Sequence, residues 1–294
     1  MMRDLDRRTV ILAAAVAVVA ATGGCSPGTS TDIGSDAAGG GQGSSPTPPT
    51  RPGGAASTGP GAADLTPLQH GPPTMSSPPP GAPGRLVDRL PGGAGNTVAL
   101  TIDDGTDSVV VQAYIDLAKA TGIRLTFFVT AAYPSWRQHR DDLRPLVDSG
   151  QIQLGNHTWD HPDLRKKTPS EVADQLNRCE AFLRDTFGVT GKPFVRPPYG
   201  YHSAQTDATA ADLGYTTMVM WLGSLGDSSP LTEDQLIANA RQWLLPQHVV
   251  IGHANLPTVT HVYGQILDIL RSRSLQTATL DDAFYGPAGR HRTG

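Results

Sequence analysis

Between positions 97 and 280 short β-rich runs alternate with helix-length segments, and glycine stops most of the helices. Runs 97–102, 124–130, 151–155, 193–195, 215–220, 248–251 and 275–280 read as strands. Segments 109–120, 141–148, 168–187, 203–213, 232–244 and 259–272 read as helices, four of them ended by Gly122, Gly150, Gly188 and Gly214. Thr168-Pro169-Ser170-Glu171 combines an N-cap, a proline at the first helical position and a capping box. Seven strands separated by six helices require crossover connections, hence a parallel α/β sheet.

Four polar clusters follow these strands in order: Asp103-Asp104-Gly105, His157-Thr158-Trp159-Asp160-His161, Arg196-Pro197-Pro198-Tyr199 and Gly252-His253. An open sheet gathers its site at one switch point, whereas a barrel brings every strand end to one rim. Clusters after so many strands favour an irregular or incomplete (β/α) barrel. Asp103 and Asp104 would face opposite sides of a regular strand, but Gly105 frees the backbone so that both can turn to one site. His157 and His161 are four apart, a spacing that puts two imidazoles on one side of a helical turn. Two His and an Asp can hold a divalent metal with positions left open. Taken singly, each cluster also reads as a solvated turn or a satisfied core histidine. His248 competes with His253 but opens its strand, and so belongs to the opposite end.

Together the clusters resemble the motifs of the polysaccharide deacetylase (NodB-homology) family of carbohydrate esterases, over about 97–285. The fourth motif matches least: Asp227 is followed by Ser228 where the family has Trp, and Thr106 stands where Pro is frequent. The resemblance implies a NodB-like deformed barrel and a metal held by Asp104, His157 and His161. Zinc comes first among the candidates, with Co2+, Mn2+, Ni2+ or Fe2+ as others. It also implies Asp103 as base fixed by Arg196, His253 as acid oriented by Asp227, and the Tyr199 N–H at the oxyanion. Ile251 would line the acetyl pocket. Tyr199 and Trp159 are expected at the sugar, and Trp221 in the core. The implied reaction is N-deacetylation of a cell-envelope glycan, peptidoglycan or a related N-acetylglucosamine polymer. O-acetyl ester hydrolysis on xylan-like chains, hydrolysis of a non-glycan amide and a silent envelope-binding role stay open.

Residues 1–25 read as an export segment, with Arg7-Arg8, an apolar run 10–21 and small residues before Cys25. This resembles a lipoprotein signal, so the expectation is a chain lipidated at Cys25 on the outer face of the cell membrane, with secretion as the alternative. Residues 26–96 are rich in Gly, Pro, Ser, Ala and Thr and read as a disordered tether. Its root-mean-square reach is about 45 Å. The catalytic domain is expected at 97–285 and a flexible tail at 286–294. Cys179 shares helical spacing with Val172, Leu176 and Leu183 and reads as a buried thiol. A net charge of −4 without a basic stripe speaks against a nucleic-acid partner.

Overall fold

The structure, a computed structural model, describes residues 65–68, 72–73, 81 and 84–286. The export segment, the lipidation site at Cys25, most of the expected tether and the tail beyond Gly286 lie outside the described residues. In chain order the strands are β1 (Thr97–Asp104), β2 (Leu125–Val129), β3 (Ile152–Asn156), β4 (Phe194–Val195), β5 (Thr217–Met218), β6 (Gly223–Ser224), β7 (Val249–His253) and β8 (Gln276–Thr277). The helices are α1 (Ser108–Thr121), α2 (Ser135–Gln138), α3 (Arg140–Ser149), α4 (Pro169–Phe187), α5 (Ala204–Asp212), α6 (Glu233–Trp243), α7 (Tyr263–Ser272) and α8 (Leu280–Tyr285).

The strand order is β5-β4-β3-β2-β1-β7-β6, every pairing is parallel, and β8 joins the start of β1. The end strands β5 and β6 do not pair with each other, so the barrel formed by the curled sheet is incomplete. β1 lies inside the sheet between β2 and β7 with all eight residues buried, as a parallel strand covered on both faces should be. Its parallel neighbours β2 and β7 end beside it, so residues beyond all three strands meet at one rim: Asp104 is in register with Val129, and Asp103 with His253.

Packing against the domain begins earlier in the chain than the composition suggests. Residues 84–96 were expected in the tether, but Val87, Leu90 and Ala94 are buried against the barrel. Val87 bridges to Val219 just past β5, and Arg89 bridges to His248 just before β7. The segment thereby fills the seam that the short edge strands leave open, with Met220 N–H donating to the Val87 carbonyl and Leu90 N–H to the Gln247 carbonyl.

Other expectations change in detail. β6 is an additional strand, and the run 275–280 forms only the two-residue β8 before α8 begins. Thr279 caps α8 in a capping box with Asp282. Asp282 also receives Arg124 through a buried bidentate pair, Nε at 2.6 Å and Nη2 at 2.8 Å, which ties the last helix to β2. The segment 259–272 divides into a 3-10 turn, Pro257–Val262, and α7. Helix α4 starts and stops as its sequence dictates: the Thr168–Glu171 box is formed and Gly188 adopts φ 69°. Cys179 on this helix is a buried free thiol.

Candidate metal and catalytic site

The two carboxylates at the end of β1 face one cavity because the backbone twists at two successive residues. Asp104 has φ 72° and Gly105 φ 94°, both left-handed. A non-glycine residue tolerates this only when its surroundings fix it. Here the Trp136 indole N–H donates to the Asp104 carbonyl at 3.0 Å, and Ser135 Oγ donates to the Gly105 carbonyl at 2.5 Å. A side chain at Gly105 would overlap the Trp136 ring, so glycine is required for space as well as for φ.

The loop after β3 carries the histidine pair. The spacing suggested a helical turn; instead Thr158 and His161 are left-handed, at φ 71° and 65°, and the loop is held by side chains. Asn156 Oδ1 accepts the Thr158 N–H at 2.9 Å, and Thr158 Oγ1 accepts the His161 N–H at 3.1 Å. Asn156 is itself anchored, its amide donating to the Leu176 carbonyl at 3.0 Å and the Tyr215 hydroxyl at 2.6 Å. His157 Nδ1 lies 2.7 Å from the Arg196 carbonyl. A carbonyl only accepts, so Nδ1 carries a proton and Nε2 is the nitrogen that faces the cavity.

Asp104, His157 and His161 each offer a ligand atom, all within 4.8 Å of one another. Asp104 Oδ1 is buried without a hydrogen bond, 3.5 Å from His157 Nε2 and 3.2 Å from His161 Nε2. Such an orphaned anionic oxygen is costly unless a cation sits among the three atoms. The electrostatics agree. Burial pulls His161 down to about 4, leaving it a neutral ligand. Burial opposes the charge on Asp104, yet His157, His161 and the Asn255 amide hold its carboxyl well below the usual range. The donor set therefore fits a divalent first-row metal.

The remaining groups form two charge pairs at the same rim. Arg196 is fully buried, and its Nη1 donates to Asp103 Oδ1 at 2.6 Å. The other guanidinium donors go to Thr101 Oγ1 and to the Val219 and Met220 carbonyls. On the opposite side Asp227 accepts from His253 twice, at 3.1 Å from the backbone N–H and 3.0 Å from Nδ1. His253 thus directs Nε2 away from Asp227. Burial lowers its basicity, but Asp227 and Asp103 outweigh this and raise its pKa.

A cavity of about 530 Å³ joins these groups, lined by Asp103, Asp104, His157, His161, Tyr199, Ile251 and His253 among others. Tyr199 sits at φ 60° in a 3-10 turn after the two prolines, with its ring against His161. Two expectations about tryptophan reverse. Trp159 is absent from the lining; its ring is covered by the Arg178 and Arg137 guanidiniums. Trp221, expected in the core, forms part of the cavity wall with Tyr133. Asn255 also reaches the site, donating to Asp104 Oδ2 at 2.6 Å. Its only sequence signal is its position two residues past His253. His248 lies at the other end of β7, beside the Trp243 carbonyl.

Residues 92–218 match the family model described as polysaccharide deacetylase. The match ends before Asp227 and His253. A peptidoglycan-N-acetylglucosamine deacetylase of Bacillus cereus is 26% identical over 191 residues, covering 64% of this chain and 68% of that protein. The chain spans less than half the length of several other curated relatives, 38% in the case of PgdA of Listeria monocytogenes. Among solved structures, a chitin deacetylase of Colletotrichum lindemuthianum superposes with a TM-score of 0.63 at 22% identity, covering 71% of this chain and 96% of that one. A CE4 family pseudoenzyme of Bacillus anthracis gives 0.60 at 18% identity over 68% and 69%. At these identities the structural likeness speaks for the fold alone, the curled parallel half-barrel.

Proposed function

We propose that the chain, whose residues 92–218 match the polysaccharide deacetylase model, is a metal-dependent hydrolase that removes acetyl groups from N-acetylated sugars of an envelope glycan. One observation carries this reading: the buried donor set Asp104, His157 and His161 shares a cavity with an arginine-held carboxylate and a carboxylate-held histidine. Zinc is the first candidate for the metal, which when bound would polarise the acetyl carbonyl and lower the pKa of water.

The chain's own residues divide the proton work. Asp103, held by Arg196, accepts a proton from the attacking water. His253 Nε2, protonated and oriented by Asp227, gives one to the departing nitrogen, so amide and water become acetate and a free amine. The Tyr199 N–H faces the developing oxyanion, a contact typically worth roughly 3–4 kcal/mol. Ile251 covers the acetyl methyl, while Trp221 and Tyr133 offer apolar faces for the sugar ring.

In this reading residues 1–25 act as an export segment lipidated at Cys25, the domain works on the outer face of the cell membrane, and peptidoglycan is the nearest N-acetylated polymer. The test is to treat peptidoglycan with the full chain, digest it, and look for glucosamine or muramic acid bearing free amines. Acetylated xylan and simple amides run in parallel. Free amines on the peptidoglycan sugars support the proposal; acetate released from xylan alone would move the activity to ester substrates.

A further inference from the structure

Asp104 has two oxygens, and the structure treats them differently. Oδ1 points between the two histidine Nε2 atoms and makes no hydrogen bond. Oδ2 is taken by Asn255 Nδ2 at 2.6 Å. Asn255 is fixed in turn: its Oδ1 accepts the Thr106 N–H at 3.3 Å and the Thr106 hydroxyl at 2.8 Å. A backbone N–H can only donate, so this contact settles which way round the amide lies and obliges Nδ2 to face the carboxylate. The two backbones are also stitched together, Ala254 N–H to the Asp103 carbonyl at 3.0 Å and Asp107 N–H to the Ala254 carbonyl at 3.1 Å.

We propose that Thr106 and Asn255 are positioning residues that lock the Asp104 carboxylate into one-oxygen presentation to the metal. Without the Asn255 donor, Oδ2 becomes free to swing toward the ion, and the side chain loses the partner that fixes its torsion. Proline at position 106 would provide neither N–H nor hydroxyl, so threonine at this position is what aligns Asn255. The idea rests on the metal site of the functional reading and adds a determinant of its affinity and coordination. Removing such an outer partner of a ligand typically weakens metal binding about 10–100-fold.

The test is zinc affinity of the full chain by chelator competition, with the visible spectrum of the cobalt-substituted protein as a second readout. Asn255→Ala is expected to weaken zinc binding about 10–100-fold and to change the cobalt spectrum. Thr106→Val, which keeps the N–H, should lose less, Thr106→Pro should approach Asn255→Ala, and Thr106→Ser should restore wild-type behaviour. Thermal unfolding of the metal-free variants separates a misfolded chain from a loosened ligand, and Thr106→Val provides the mildest perturbation. Wild-type affinity and spectrum in folded Asn255→Ala would overturn the clamp and leave the functional reading standing. A wild-type chain that binds no zinc or cobalt would overturn both.

Discussion

His157 and Arg196 are coupled through the arginine's backbone: the Arg196 carbonyl accepts the Nδ1 proton of His157 at 2.7 Å, while its guanidinium grips Asp103 at 2.6 Å. One residue therefore orients a candidate metal ligand with its main chain and the proposed base with its side chain. Pro197 and Pro198 follow it and limit the backbone, so neither contact can drift without the other. Burial pulls the Arg196 pKa down, yet Asp103 supports the charge beside it.

Replacing the proposed base should separate chemistry from metal binding. Asp103→Asn is expected to lower kcat by about 10²–10⁴-fold. Bound metal, measured by elemental analysis, should stay near wild type, because the ligand set is intact. Full activity in this variant would remove Asp103 from the mechanism.

Replacing a ligand should do the reverse. His157→Ala and His161→Ala each take one of three donors from the site. Both variants should purify with little zinc and show no activity that added zinc restores at ordinary concentrations. Wild-type zinc content in either would place the ion elsewhere.

The pH profile tests the acid. In the proposed mechanism His253 acts protonated, and Asp227 helps hold its pKa above the usual imidazole value against burial. The protonated fraction, and with it kcat/KM, falls as pH rises through that raised pKa. Asp227→Asn removes a carboxylate that supports the charge, so the alkaline limb should move to lower pH. An alkaline limb that stays in place would detach it from His253.

Gly105 provides a test of the local fold. Gly105→Ala meets both a left-handed φ of 94° and the Trp136 ring. The overpacking alone should cost roughly 1–3 kcal/mol, with lost activity as Asp104 is displaced. Denaturant unfolding measures this; unchanged stability would mean that Trp136 yields freely.

Much of the architecture was legible because strand runs, helix caps and glycine stops agree with one another along 97–280. The site was legible as residue types placed after strands, and the structure brings Asp103, Asp104, His157, His161, Arg196, Asp227 and His253 to one rim. The backbone of the histidine loop was not legible: its left-handed residues are Thr158 and His161, held by the Asn156 and Thr158 side chains rather than announced by glycine. Residues 84–96 were hidden by their composition, because what orders them is a seam formed by strands far along the chain. β6 has two residues, too few to show a period. Asn255 and Trp221 carry no motif; their roles arise from contacts with residues such as Thr106, 149 positions away from Asn255.

The most direct measurement is acetate release from N-acetylglucosamine oligomers by the full chain before chelation, after it, and after zinc is returned. The account predicts release that stops on chelation and recovers with about one zinc per chain. Release that continues unchanged in the metal-free protein would contradict it.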